Sequence, residues 1–268
     1  MESHSICERL DKQQESITMN SYSNILNELV VYNPVNSKRR FGSTIPTGDG
    51  GYVVIDGYTY DHYIGCGVGG NVSFDFEFLT PQPNLTGLIF DGSINFYPRF
   101  PSHVYFVHKN IGNMNTGETT NLNNETKAFK NIFMKIDIEG HEWKWIRSFN
   151  NFANIKQFVI EVHGLFPDPA TWDWAGKTGF DSDDVYEGLK KINETHHLVH
   201  FHSNTSAEYA KIDGKEMPTV GELTYIRKED CAIDGLNRIP LPITGLDFVN
   251  GYDRHDLSFT EYPFCSPQ

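Results

Sequence analysis

The chain is short of basic residues: 22 Lys and Arg stand against 35 Asp and Glu in 268 residues, a formal charge of −13. That balance argues against nucleic acid as the main partner, because a phosphate backbone needs clustered cations. It also suits an anionic membrane surface badly. Cysteine is scarce. Cys7, Cys66, Cys231 and Cys265 lack the paired spacing of a metal site, and nothing in their placement requires a disulfide. No run approaches the roughly 20 apolar residues that span a bilayer, so no membrane span is expected. The opening Met1-Glu2-Ser3-His4-Ser5 lacks the basic and apolar segments of a secretion signal. The expectation is a cytoplasmic protein in reducing surroundings. The Asn-x-Ser/Thr sequons at Asn71, Asn84, Asn124, Asn193 and Asn204 then read as by-products of an Asn-rich composition. No feature sets an oligomeric state.

What is present is material for a core. A hydrophobic content of 38% with 13% aromatics excludes wholesale disorder, and the length fits one domain with decorated ends. Residues 1–40 read as a polar leader with a short helix over 21–32. Residues 41–230 form the main domain, and 231–268 a Pro- and Gly-rich tail packed on it. Apolar runs predict strands over 63–66, 85–90, 103–108, 131–138, 156–162, 197–201 and 222–227. Helical spacing predicts helices over 73–79, after 140 (Trp143, Ile146 and Phe149) and over 181–193. Strands alternating with helices imply an α/β fold whose mostly parallel sheet is covered on both faces.

Two stretches stand at strand ends, where open α/β sheets present ligand sites. The first is Ile64-Gly65-Cys66-Gly67-Val68-Gly69-Gly70. The second is Lys135-Ile136-Asp137-Ile138-Glu139-Gly140. Glycine lets backbone approach a ligand, although Gly-x-Gly-x-Gly also occurs in ordinary turns. Asp91, with Gly92 and Ser93 after the second strand, suits either a ribose contact or a plain turn. Asp137 and Glu139 share a face if the strand persists; they suit a cation site, or the positive start of the next helix. Glu161 and His163 repeat the spacing at the tip of the fifth strand. Asp137, Glu161 and His163 read as ligands of a divalent ion, as an acid–base pair, or as a structural ion pair. Trp172 and Trp174 offer a platform for a sugar ring, or a cap on the core.

Taken together, these residues resemble the FkbM-like methyltransferases (the methyltransferase-21 group), a class I S-adenosylmethionine-dependent family. The match also includes Asp49-Gly50-Gly51-Tyr52, Phe90-Asp91-Gly92-Ser93, Ile160-Glu161-Val162-His163, the run from His200 to Asn204, Glu222 to Tyr225, Leu246 to Asn250 and Tyr262 to Phe264. It spans about 40–264. The resemblance implies a Rossmann-like sheet of seven strands with one reversed strand at the edge, and methyl transfer to an oxygen, often a sugar hydroxyl. It implies S-adenosyl-L-methionine held by Gly65, Cys66, Gly67, Val68, Gly69, Asp91 and Gly92. It also implies a divalent metal at Asp137 with Glu161 or His163; on the chemistry of these side chains, Asp137 and Glu161 are expected to bind Mg²⁺ or Mn²⁺ and His163 to act as the base. The segment His108-Lys109-Asn110-Ile111-Gly112 departs from the usual acid near adenine, leaving Asn110 or backbone for that contact. Competing readings are a nicotinamide-dependent oxidoreductase, weakened by Asn71-Val72-Ser73 after the loop, and a carbohydrate- or protein-binding module without catalysis.

Overall fold

The computed structural model describes residues 22–43, 48–96, 98–166, 179–212, 214–251 and 255–266. Trp172 and Trp174, Cys7 and most of the leader lie outside them. The central sheet has seven strands: β1 (His62–Cys66), β2 (Gly87–Phe90), β3 (Val104–Val107), β4 (Ile132–Ile136), β5 (Ile155–His163), β6 (His196–Ser203) and β7 (Val220–Arg227). Their spatial order is β6-β7-β5-β4-β1-β2-β3. From β3 to β5 all neighbours pair in parallel, and β7 runs antiparallel to both β5 and β6. This order is the Rossmann-like class I methyltransferase fold. The reversed strand is not the edge strand expected from the sequence: β7 is inserted between β5 and β6, and β6 forms the edge.

Alternation along the strands builds a core on each face. Ile64, Met134, Ile136 and Ile160 face one core, with Trp143, Trp145 and Ile146 of the helix Glu142–Ser148 and Val185, Leu189 and Ile192 of the helix Ser182–Thr195. Tyr63, Phe133 and Val159 face the other, with Phe74 and Phe78 of the helix Ser73–Leu79. The longer helix starts at Asp181, whose side chain accepts from Asp184 N–H in a capping box.

Among the short pairings, Gly51-Tyr52-Val53-Val54-Ile55 reads as strand-like in the sequence, and its partner strand and the other pairing carry no signature. Lys38–Phe41 pairs antiparallel with Tyr52–Ile55 and lays Phe41, Tyr52 and Val54 on the second core. Ile233–Leu236, in the C-terminal segment, pairs with Tyr32–Pro34. Farther on, Leu241, Leu257, Phe259 and Phe264 are buried in the first core, and Phe259 and Phe264 pack on Phe201 of β6. Among the described residues no helix is long and apolar enough to cross a membrane.

Candidate functional site

The strand order reverses between β1 and β4, one leading on to β2 and β3 and the other to β5. Such a switch point opens a crevice at the carboxyl ends of its two strands. Here the crevice is a cavity of about 790 Å³, within the roughly 300–1,000 Å³ usual for small-molecule sites.

Gly67 is the residue that brings the two strand tips together. Its φ is +70°, and a Cβ on it would lie 1.6 Å from the carbonyl oxygen of Asp137. The neighbouring strand therefore dictates this glycine, where the sequence suggested a ligand. Gly69 and Gly70 have nothing within 4 Å of an added Cβ and face open space. Of the expected cofactor loop, Gly67, Val68 and Gly69 line the cavity; Gly65 and Cys66 do not. Cys66 is fully buried in the sheet, and a Cβ on Gly65 would meet Asp75 at 2.8 Å.

Asp91 closes the loop onto β2. Its Oδ2 accepts from the N–H groups of Val68 (3.1 Å) and Gly69 (2.9 Å), and its Oδ1 from the N–H (2.8 Å) and hydroxyl (2.7 Å) of Ser93. Burial opposes its charge, but these donors hold the carboxyl below its ordinary value. All four lone-pair sites are engaged, so any ligand hydroxyl would reach Asp91 only by replacing one of these donors. Asn110 also lines the cavity, its Oδ1 accepting from Gly92 N–H at 3.1 Å. Gly92 itself lies beneath Asn110, off the cavity wall.

On the far side of the switch point is a cluster of acids. Single atoms of Asp137, Glu161 and His163 lie within 4.8 Å of one another, as do atoms of Asp49, Glu161 and Glu222. Asp137 faces the cavity, whereas Glu161 and His163 stand behind it and are nearly inaccessible. The Tyr52 hydroxyl lies 3.4 Å from Asp137 Oδ2 and 3.2 Å from Glu161 Oε2. A phenol has one proton, so it satisfies one of the two at a time. Lys135 Nζ is 3.7 Å from Asp137 and donates to Gly67 O at 2.5 Å. Burial raises the pKa of both Asp137 and Glu161, Glu161 far above the usual range.

His163 is held by a residue absent from the predicted site. Glu142, fully buried at the start of its helix, accepts from the N–H groups of Ile138 and Gly140 and pairs with His163 Nδ1 at 3.2 Å. Burial opposes both charges. The Glu142 carboxylate, with Glu161 and Asp137, nevertheless lifts His163 to about 10, and His163 with the backbone donors keeps Glu142 low. His163 is thus an imidazolium at neutral pH and has no lone pair with which to act as a base. Tyr52, Lys135, Glu142, Glu222, Asn204 and Asn250 all belong to this cluster. All but Glu142 lie in the motif runs, yet only tertiary contact reveals their task.

The acids exceed the cations around Asp137, and its Oδ1 is buried without a hydrogen-bond partner. Buried carboxylates in that state require a proton, a cation or a donor from a ligand. The donor set Asp137, Glu161 and His163 suits a hard or borderline divalent ion, provided that His163 sheds its proton on binding.

No protein-family model matches the chain, and no curated protein matches it in sequence. Similar solved structures include a predicted O-methyltransferase from Agrobacterium tumefaciens, 11% identical, covering 62% of this chain and 74% of that one with a TM-score of 0.33. A protein designated a methyltransferase from Thermoplasma acidophilum is 12% identical over 63% and 68%, with a TM-score of 0.32. One designated an rRNA methylase from Clostridium thermocellum is 10% identical over 62% and 86%, with a TM-score of 0.35. At such scores the fold assignment rests on the strand order itself.

Proposed function

We propose that this protein is an S-adenosylmethionine-dependent O-methyltransferase of FkbM-like type acting on a sugar hydroxyl, with a divalent cation at the acid cluster. One observation carries the reading: Gly67–Gly69 after β1, Asp91 after β2 and Asp137 after β4 all line one switch-point cavity. The loop and Asp91 suit the nucleoside and methionine parts of the cofactor. Asp137 suits a group that must lose a proton.

S-adenosyl-L-methionine bound here would supply a methyl group on a positively charged sulfur. Val68, Gly69 and Asp91 hold the loop wall, and Asn110 stands on the adenine side. Asp137, which lines the cavity, takes the acceptor's proton, the role the sequence reading gave to His163. Glu161 and the His163 imidazolium fix the local charge, and Tyr52 orients Asp137 and Glu161. A Mg²⁺ or Mn²⁺ ion held by Asp137, Glu161 and a deprotonated His163 would instead acidify the acceptor hydroxyl.

Calorimetric titration with S-adenosylhomocysteine, with and without Mn²⁺, tests this directly. The expected result is saturable binding near one equivalent, lost in Asp91→Ala. Absence of binding under both conditions would leave the fold as a binding module. Full activity in EDTA would remove the cation alone.

A further inference from the structure

The cavity wall carries its charge unevenly. Its acids are Asp49, Asp91, Asp137 and Glu139, and its basic residues are Lys109, Lys135 and His141. Asp91 is spent on the loop and on Ser93. Lys135 is 3% exposed and turns to Gly67 O and Asp137. Lys109 donates to Thr116 O (3.2 Å) in the segment after β3. Asp49 and Glu139 are exposed, and both stand against the acid cluster. Asp49 has a carboxylate oxygen within 4.8 Å of one on Glu161 and one on Glu222. Glu139 Oε2 lies 3.5 Å from His163 Nε2.

The charge of this exposed pair is not matched from within. His163 serves three carboxylates at once: Glu142 (3.2 Å), Glu139 (3.5 Å) and Glu161 (3.7 Å). His202 is taken by Glu222 and Asp256, each at 3.0 Å. Asp49 has neutral partners among the described residues, Gly50 N–H (2.9 Å) and Asn250 Nδ2 (3.1 Å). Burial, and after it Asp137, Glu142 and Asp49, push the Glu139 pKa up against the pull of His163, as a negative field does to a carboxyl. A divalent ion at Asp137, Glu161 and His163 leaves the imbalance standing. It neutralises the acids it binds, and it requires His163 to give up the proton that helps to balance Glu139. Either way, Asp49 and Glu139 face an incoming acceptor, with His141 as the exposed basic residue beside them.

Building on the methyltransferase reading, we infer that Asp49 and Glu139 make the acceptor side select by charge. The acceptor is an uncharged or amine-bearing sugar, not a sugar phosphate, a nucleotide sugar or a uronic acid. Asp49 and Asp137 each have an oxygen within 4.8 Å of one on Glu161. The cluster is therefore compact on the scale of the roughly 8 Å screening length at physiological salt. A phosphate beside the reacting hydroxyl meets both exposed carboxylates as like charge, whereas an ammonium gains from the same field.

Two measurements on the full chain test this. The first reads the field without an acceptor. His141→Cys, saturated with S-adenosylhomocysteine so that no sulfonium charge is present, reacts with cationic 2-(trimethylammonium)ethyl and anionic 2-sulfonatoethyl methanethiosulfonate. The ratio of the two rates, divided by that for free 2-mercaptoethanol, cancels thiolate fraction and reagent chemistry. Unsubstituted protein gives the background of the native cysteines, of which Cys66, Cys231 and Cys265 are buried. The ratio should favour the cation by roughly 10- to 100-fold and fall severalfold when Asp49→Asn and Glu139→Gln are combined. It should collapse toward one at about 1 M salt, where the screening length is about 3 Å.

The second measurement compares kcat/KM, with tritium-labelled S-adenosylmethionine, for four probes. These are methyl β-D-glucopyranoside, its 2-amino-2-deoxy and 2-acetamido-2-deoxy forms, and its 6-phosphate. The phosphate should fall roughly 10- to 100-fold below the neutral glycoside, the amine should exceed its acetamide, and the double variant should narrow both gaps. A thiol ratio near one or favouring the anion, a phosphate used as well as the neutral glycoside, or gaps unmoved by the double variant would each overturn the inference. If no probe is methylated the thiol ratio decides, and if the thiol is shielded the glycoside ratios decide. Wild type that binds no S-adenosylhomocysteine would remove the methyltransferase reading, and the acceptor assignment with it, whatever the thiol ratio shows.

Discussion

Replacing Glu142 with Gln tests whether one buried acid holds the acceptor side together. The side chain keeps its shape but loses its charge and one acceptor oxygen. In the native protein Oε1 accepts from Ile138 N–H (3.0 Å) and Gly140 N–H (3.2 Å), and Oε2 from Gly140 N–H (3.1 Å) and His163 N–H (3.4 Å). An amide NH₂ aimed at those donors leaves at least one backbone N–H unpaired, a cost of about 1–3 kcal/mol. It also leaves the His163 imidazolium without its closest partner, and breaking a buried pair costs about 3–5 kcal/mol. The effects share one site and do not add. The expected destabilisation at pH 7 is about 3–5 kcal/mol, a large part of the roughly 5–15 kcal/mol available to a folded domain.

The pH dependence separates the charge effect from mere loss of packing. His163 is raised from 6.5 to about 10 in the folded protein. Its stabilisation is therefore fully present below about pH 6.5 and is lost as pH rises through about 10. At 1.36 kcal/mol per unit the upper bound is about 5 kcal/mol. His202, also held at about 10 by Glu222 and Asp256 against its burial, contributes in the same window, so the difference between wild type and variant is the quantity to read. Urea unfolding at pH 7, 8.5 and 10 should show the variant's deficit shrinking as pH rises. A deficit below about 1 kcal/mol at pH 7, or one that stays constant to pH 10, would refute the pairing.

Gly67→Ala should cost about 2–4 kcal/mol in urea unfolding, because it combines a left-handed backbone with a Cβ driven into the Asp137 carbonyl. Gly70→Ala, with open space around its Cβ, should stay within about 0.5 kcal/mol; equal costs would mean that loop flexibility matters and strand contact does not. His202→Leu removes the cation between Glu222 (3.0 Å) and Asp256 (3.0 Å). Amide exchange at Phe259, whose N–H donates to Leu241 O, should then speed up relative to the β1 amides, and uniform acceleration would contradict a local tie.

The sheet was legible because its strands are apolar runs broken by glycine or acid. Seven predicted strands match β1 to β7 within a few residues, and the predicted helix over 73–79 coincides with Ser73–Leu79. The hairpin of Lys38–Phe41 with Tyr52–Ile55 was half hidden, since Lys38, Arg39 and Arg40 carry no apolar alternation; Arg40 is buried by donating to Ser43 O and Leu246 O. The position of the reversed strand was misjudged because β7 is as apolar as its neighbours and direction leaves no mark on composition. At the site, Asp91 and Asp137 stood out as acids at strand ends. Glu142 did not, because an acid in a first helical turn is commonplace; its partner His163 lies 21 residues away. Asn250 and Asp49 are 201 residues apart, and no local pattern joins them.

The topology separates two tasks. On the proposed reading the loop after β1 and the acid after β2 serve the cofactor, while Asp137 after β4, backed by residues of β5 and β7, serves the acceptor. Asp137 is the hinge of this arrangement, because its carbonyl touches Gly67 while its carboxylate faces the acceptor side. Changes at Asp91 should therefore lower cofactor affinity. Asp137→Asn keeps the carbonyl and so the Gly67 contact, and loses the carboxylate that lines the cavity and pairs with Lys135. It should bind S-adenosylhomocysteine within about threefold of wild type and lose roughly a hundred- to ten-thousandfold in kcat. Equal loss of binding and turnover in that variant would show that the two ends are one site, and would undo the division drawn from the strand order.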